Sequence, residues 1–179
     1  MNVPNFLSLL RIILVPVIII FLIQESYKNA LITFAIAGLT DVFDGIIARA
    51  FKSQTKIGAF IDPLADKLLV VSSFIALSIL GLIPAWLTVI VITRDLIITG
   101  GILILSLMSV SFEMKPAVVS KITTVFQVST ILLTLLYYSI DPGISYKWIL
   151  LICWATAIFT VASGAVYITR GINYINRSS

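Results

Sequence analysis

Residues 30–66 read ALITFAIAGLTDVFDGIIARAFKSQTKIGAFIDPLAD, and this stretch decides the fold. An apolar run carries Asp41 and Asp44 near its end, and a short basic segment follows it. A second apolar run then begins and carries Asp62 and Asp66 near its start. Because a helix needs about 20 apolar residues to cross a bilayer, we predict two membrane-spanning helices joined by a short loop. These helices are expected to be antiparallel neighbours whose acidic faces lie at similar depth.

The composition of the whole chain also indicates a membrane protein. Of its 179 residues, 60% are hydrophobic and 11% are charged, and the mean hydropathy is +1.14. Soluble domains are roughly 45–50% apolar and about 25% charged, so a soluble domain could not cover this much apolar surface. We therefore predict an all-α integral membrane protein, a six-transmembrane-helix bundle that forms one domain over residues 1–179. The predicted spans are residues 6–23, 30–50, 58–80, 83–109, 117–139 and 147–169.

The positions of lysine and arginine predict the orientation of the bundle. With a cytoplasmic N-terminus, the opposite side carries only Lys28 and Lys147. Since cytoplasmic loops are enriched in basic residues, both termini are expected in the cytoplasm. The net charge of +4 is scattered among apolar runs, which favours anionic lipid over nucleic acid as its partner. The cytoplasmic basic residues would be Arg11, Arg49, Lys52, Lys56, Lys115, Lys121, Arg170 and Arg177.

The chain contains no histidine and a single cysteine, Cys153. This excludes catalytic triads built on histidine, zinc sites with histidine ligands and phosphohistidine mechanisms. It also excludes an intrachain disulfide. Any catalysis must therefore use carboxylates, lysine, arginine, tyrosine or a bound metal ion.

Four aspartates are the strongest candidates for a functional site, because acids inside membrane spans are costly and usually functional. Asp41 and Asp44 share one face of the second span, and Asp62 and Asp66 share one face of the third. Four converging carboxylates would repel each other unless protons, arginines or metal ions compensated their charge. An all-oxygen ligand set favours Mg²⁺ or Mn²⁺, with Ca²⁺ also open. Two divalent ions would balance four carboxylates.

Small residues lie on the same two helical faces. Gly45 and Ala48 accompany the first aspartate pair, and Gly58 accompanies the second. Such residues let two helices pack closely. Beside Arg49, Lys52 and Lys56, they could instead form the floor of a phosphate-binding cavity.

The spacing of these residues resembles a known family signature. Residues 41–66 read DVFDGIIARAFKSQTKIGAFIDPLAD, which matches D-x-x-D-G-x-x-A-R followed, eight residues later, by G-x-x-x-D-x-x-x-D. This pattern is similar to the signature of the CDP-alcohol phosphatidyltransferase family. The N-terminal segment, residues 2–11, resembles that of bacterial phosphatidylglycerophosphate synthases and related cardiolipin synthases of the same family.

The resemblance implies a reaction and a set of roles. Members of the family transfer a phosphatidyl group from CDP-diacylglycerol to an alcohol and release CMP. By resemblance, two divalent ions would be bound by Asp41, Asp44, Asp62 and Asp66, and Asp66 would also deprotonate the acceptor hydroxyl. The family often forms homodimers. The residues implied to line the CDP pocket are Asp41, Asp44, Gly45, Ala48, Arg49 and Gly58.

The acceptor alcohol is less strongly indicated. Arg94, with Lys115 and Lys121, could bind an anionic acceptor, and glycerol 3-phosphate is the expected one. Alternatively, Arg94 pairs with Asp95 or a motif aspartate, and the two lysines only set the topology. The segment from Lys115 to Gln127 also resembles eukaryotic-type cardiolipin synthases, whose acceptor is phosphatidylglycerol.

Two functions of other kinds compete with this interpretation. A metal or proton transporter would also need aspartates inside the membrane, but its acids should follow a path across the bilayer. Here they concentrate at one interface. A purely structural role for Asp–Arg pairs is disfavoured because the acids outnumber the buried bases near them.

Overall fold

The computed structural model describes the backbone of residues 3–51, 58–107, 118–140 and 145–178. Side chains are described for residues 9–40, 64–103, 118–140 and 145–173. Within these ranges the chain is all-helical, as predicted, with six helices. They are α1 (Val3–Ile23), α2 (Tyr27–Phe51), α3 (Gly58–Ile79), α4 (Ala85–Leu107), α5 (Val118–Ser139) and α6 (Lys147–Ser178).

Three of the described helices are long and apolar enough to cross a membrane. The qualifying segments are Ala85–Leu103, Val118–Ser139 and Lys147–Asn173, and Leu9–Ile23 is a shorter apolar helix. Helix α6 exposes Trp148, Leu151, Trp154, Ile158 and Val161 on its outer surface. Large exposed apolar surfaces suit a lipid environment and would be a liability in water. Six spans and cytoplasmic termini stay predictions.

Two helices on the N-terminal side end in the same kind of turn. After α1, the amide of Ser26 donates to the carbonyl of Phe21, and after α3 the amide of Leu82 donates to the carbonyl of Leu77. Both turns are Schellman motifs, which need a residue with positive φ just after the helix. Gly81 (φ 70°) fills that position after α3, and Glu25 (φ 55°) fills it after α1.

The chain contains two compact units, and the first comprises residues 1–83 and 131–145. In this unit α1 packs against both α2 and α3. Leu22, Phe34 and Phe74 are fully or almost fully buried there. The arrangement places α1 beside each of the two helices that carry the aspartate motif.

The second unit comprises residues 84–130 and 146–179. Helix α4 packs against α6, and the first part of α5 is joined to α6 by hydroxyl groups. The Thr123 hydroxyl donates to the Phe159 carbonyl at 2.9 Å, and the Thr130 and Thr156 hydroxyls are hydrogen-bonded at 2.7 Å. Such hydrogen bonds can join helices inside a bilayer, where apolar burial gives little driving force. The prediction of one domain over the whole chain stays a prediction.

Candidate active site

The aspartate motif lies at the end of one helix and the start of the next. Asp41, Asp44, Gly45, Ala48 and Arg49 fall on the last turns of α2. Gly58 begins α3, and Asp62 and Asp66 follow on its first turns. Apart from Asp66, the side chains of these motif residues lie outside the described part of the chain. The convergence of the four carboxylates and the CDP pocket therefore stay predictions.

Asp66 is the motif aspartate whose side chain is described, and it pairs with Arg11 of α1. The Nη1 group of Arg11 donates to Oδ1 of Asp66 and forms a salt bridge with it. The Arg11 side chain is 1% exposed, whereas that of Asp66 is 45% exposed. A buried guanidinium needs an anionic partner, and Asp66 supplies it from the neighbouring helix.

Helix geometry explains why these two residues meet. Arg11 lies eight residues beyond Val3, the first residue of α1, and Asp66 lies eight residues beyond Gly58, the first residue of α3. At 1.5 Å per residue, each is about 12 Å from the start of its helix. Each charge thus lies at a similar distance along its own helix, and the packing of α1 against α3 brings the two side chains together.

Arg11 is a residue whose importance the sequence analysis missed. The sequence places it among the basic residues that set the topology and at the end of the segment 2–11 that resembles the family, but does not mark it as a site residue. The signal was present, since Arg11 interrupts an apolar run that continues to Ile23. The rule that charges inside a span are functional candidates applies to bases as well as to acids.

Arg94 of α4 is buried at the centre of a second polar cluster. Its side chain is 8% exposed. Nη1 donates to Oδ1 of Asp95 at 2.6 Å, and Nη2 donates to the hydroxyls of Ser163 (2.9 Å) and Ser120 (2.5 Å). Nε also donates to the Ser163 hydroxyl, at 3.3 Å. The partners of Arg94 thus come from α4, α5 and α6.

This cluster bears on the predicted acceptor residues. The pairing of Arg94 with Asp95, one of the two alternatives stated above, is present. Lys121 is exposed on α5, next to Ser120, and Lys115 lies outside the described residues. Ser120 and Ser163 were not predicted as site residues, because nothing in the spacing along one helix shows that a serine contacts an arginine on another.

The carboxylate chemistry fits a hard divalent cation. Among the described side chains, no group of three or more histidine, cysteine, aspartate or glutamate residues lies together. Three of the four motif carboxylates fall outside that part of the chain. Asp66 is half-exposed, so an ion could reach its oxygens. Oxygen ligands of this kind suit Mg²⁺ and Mn²⁺.

Comparisons with known proteins bear on both the family and the acceptor. Residues 1–162 match the family pattern described as CDP-alcohol phosphatidyltransferase. The chain is 35% identical to a probable phosphatidylglycerophosphate synthase of Mycobacterium tuberculosis (strain ATCC 25618 / H37Rv), over 97% of this chain and 83% of that protein. It is 32% identical to the CDP-diacylglycerol–glycerol-3-phosphate 3-phosphatidyltransferase of Bacillus subtilis (strain 168), over 99% of both chains.

A third relative carries the name of a different synthase. The chain is 34% identical to a probable CMP-forming cardiolipin synthase of Drosophila melanogaster, over 97% of this chain. It spans 58% of the length of that protein. The relatives therefore divide between two activities at similar identity.

The family is nevertheless the same in each case. The pattern match covers most of the chain, and the motif of residues 41–66 lies inside it. The all-helical fold and its long apolar helices agree with an enzyme that acts on membrane lipids. This chain belongs to the CDP-alcohol phosphatidyltransferase family of membrane enzymes of phospholipid biosynthesis.

Proposed function

We propose that the protein transfers the phosphatidyl group of CDP-diacylglycerol to glycerol 3-phosphate, which makes it a phosphatidylglycerophosphate synthase. The observation that carries this proposal is the match to the Bacillus subtilis enzyme, which extends over 99% of both chains. The buried guanidinium of Arg94 supports an acceptor with a phosphate group, because arginine binds phosphate by charge-assisted hydrogen bonds.

The four motif aspartates would hold two divalent ions, Mg²⁺ or Mn²⁺. When bound, these ions would neutralise the pyrophosphate of the substrate and the charge that develops on CMP. Asp66 supports this assignment, because its half-exposed carboxylate is accessible despite its contact with Arg11. The other ligands would be Asp41, Asp44 and Asp62.

Asp66 would also be the general base of the reaction. In the proposed step the acceptor hydroxyl oxygen forms a bond to the phosphorus that carries diacylglycerol. The bond from that phosphorus to the bridging oxygen breaks, and CMP leaves with the bridging oxygen and its electron pair. The hydroxyl proton passes to the Asp66 carboxylate, since the chain has no histidine to accept it.

The remaining predicted residues would bind the two substrates. Gly45, Ala48 and Gly58 would let the CDP group approach the helix backbone, and Arg49 would pair with its phosphates. Asp41 and Asp44 would contribute to CDP binding through the metal ions that they would hold. Arg94, Lys115 and Lys121 would bind the phosphate of the acceptor. Lys121 supports this role because it is exposed beside Ser120, which contacts Arg94.

A second acceptor has its own support. Phosphatidylglycerol would make the protein a cardiolipin synthase, and the 34% identity to the Drosophila protein favours this alternative. Both acceptors carry a phosphate group and a free hydroxyl, so the same basic residues could bind either. We further propose that the protein resides in the bacterial inner membrane with its site facing the cytoplasm, and that it forms a homodimer.

The assay that tests this function measures CMP release by the purified full-length protein. The protein would be supplied with labelled CDP-diacylglycerol, Mg²⁺ or Mn²⁺, and one of the two acceptors at a time. With glycerol 3-phosphate as the acceptor, we expect CMP release that depends on the metal ion. The labelled lipid product should carry the phosphate of glycerol 3-phosphate. Release with phosphatidylglycerol alone would instead assign the cardiolipin synthase activity. Metal uptake into vesicles without CMP release would contradict both and indicate a transporter.

A further inference from the structure

The guanidinium of Arg94 is held by an unusually complete set of hydrogen bonds. An arginine side chain has five N–H donors. The contact from Nε, the two from Nη2 and the one from Nη1 occupy four of them. Within the described cluster, the second hydrogen on Nη1 has no acceptor. Because the other four N–H groups are hydrogen-bonded, this remaining donor points in a fixed direction and could bind a ligand.

Two of the three partners are neutral hydroxyls. Asp95 balances the charge of Arg94, and its side chain is 13% exposed. Ser120 and Ser163 accept hydrogen bonds without adding charge. They can orient the guanidinium plane without placing further negative charge beside it.

Ser163 is built into the packing of α6 against the arginine. Its side chain is fully buried, and it accepts hydrogen bonds from both Nε and Nη2. Gly164 follows it, and a methyl group placed there would lie 3.7 Å from Cγ of Arg94. The aliphatic part of Arg94 therefore lies against α6, and the Ser163 hydroxyl meets the edge of the guanidinium that carries Nε and Nη2.

From this geometry we infer that Ser163 and Ser120 are positioning residues, which hold Arg94 so that its remaining Nη1 hydrogen binds the phosphate group of the acceptor alcohol. The inference rests on the proposed function, because it assigns a role within acceptor binding. It concerns neither the phosphatidyl donor nor the metal ligands, so the two substrates should respond differently to substitutions here.

The test compares KM values for the two substrates in hydroxyl-deletion variants. Ser163→Ala should raise the KM for glycerol 3-phosphate about tenfold, and Ser120→Ala should raise it less, since Ser120 accepts one hydrogen bond rather than two. The KM for CDP-diacylglycerol and the kcat should stay within about twofold. Ser120→Thr keeps the hydroxyl at a half-buried position and should restore the wild-type KM.

Thr160 provides a matched control one turn away on α6. Its side chain is fully buried, and its hydroxyl donates to the Thr156 carbonyl of its own helix rather than touching Arg94. Thr160→Val should therefore leave the KM for the acceptor unchanged. An equal rise in Thr160→Val and Ser163→Ala would overturn the inference, because it would assign the effect to helix packing.

A double-variant cycle separates positioning from direct binding. If Ser163 acts through Arg94, adding Ser163→Ala to Arg94→Ala should change the acceptor KM by less than about twofold. Independent, multiplicative effects of the two substitutions on the acceptor KM would overturn the inference.

Repeating these KM measurements with phosphatidylglycerol in place of glycerol 3-phosphate shows which of the two phosphate-bearing acceptors the Arg94 cluster binds. A wild-type protein that releases no CMP with either acceptor would refute the proposed function itself, whereas normal activity with an unchanged KM in Ser163→Ala would refute only the positioning role.

Discussion

Arg11 and Asp66 form an ion pair whose two members differ greatly in exposure. The arginine side chain is 1% exposed, and the aspartate side chain is 45% exposed. A buried charge depends on its ion-pair partners, whereas a half-exposed carboxylate can also interact with other cations. The buried Arg11 side chain therefore depends on the ion pair more than Asp66 does. The Asp66 carboxylate stays accessible for the proposed chemistry.

Asp66→Asn should abolish turnover while the protein still folds. The amide cannot accept the proton of the acceptor hydroxyl, so kcat should fall by about 10²-fold or more. The CMP-release assay measures this loss, and size-exclusion chromatography in detergent checks the fold. Glu25→Gln is the control, because that carboxylate lies in the turn after α1 and its loss should leave the rate unchanged. Near-normal turnover in Asp66→Asn would remove Asp66 from the mechanism.

The same ion pair predicts an asymmetry in stability. Arg11→Met replaces the buried charge by an apolar side chain of similar length, and such replacements are often neutral or stabilising. Asp66→Asn instead removes the carboxylate of this pair and keeps the Arg11 charge buried, so it should destabilise the protein by about 1–3 kcal/mol. Melting temperatures of the two variants in one detergent would check the order. A lower melting temperature for Arg11→Met than for Asp66→Asn would contradict this account.

At the scale of the helices, the two Schellman turns differ in how well their residues suit the backbone. Gly81 adopts positive φ without steric strain, whereas Glu25 adopts it against the preference of a residue with a Cβ atom. The turn after α1 is therefore the less favourable of the two, although its hydrogen bonds follow the same pattern.

Glu25→Gly should stabilise the protein by about 0.5–1 kcal/mol, because it removes this strain. Gly81→Ala should destabilise it by about 1 kcal/mol for the opposite reason. Among the described residues other than its chain neighbours and the backbone of its own helix, none comes within 4 Å of a Cβ added at Gly81, so the loss is expected to come from the backbone conformation. Both shifts can be followed by thermal unfolding in detergent. A fall in melting temperature for Glu25→Gly would show that the Glu25 side chain, rather than φ, dominates the turn.

The helices themselves could largely be predicted from apolar run length. The third span was predicted at residues 58–80 and the helix is Gly58–Ile79. The sixth was predicted to end at 169, yet α6 continues to Ser178. The end of the span was predicted from hydropathy, which falls where the sequence of α6 becomes polar. The helix extends further because its backbone hydrogen bonds continue past that point. Similarly, α1 begins at Val3 rather than at residue 6.

At the scale of the whole molecule, the candidate site was predictable only in part. The aspartates were identified because their spacing along each helix is visible in the sequence. The pairing of Arg11 with Asp66 and of Arg94 with Ser163 joins residues 55 and 69 positions apart. Such pairs depend on which helices pack together and on their rotation, and neither follows from the periodicity of one segment.

The proposed function depends on divalent ions held by the aspartate motif, and manganese binding tests that dependence most directly. Electron paramagnetic resonance of the purified full-length protein, titrated with Mn²⁺ in the presence of CDP-diacylglycerol, would count the bound ions. We predict two ions per chain in the wild type, and weaker binding in each of the four variants Asp41→Asn, Asp44→Asn, Asp62→Asn and Asp66→Asn. Saturable binding that none of these substitutions weakens, or no saturable binding at all, would contradict the account.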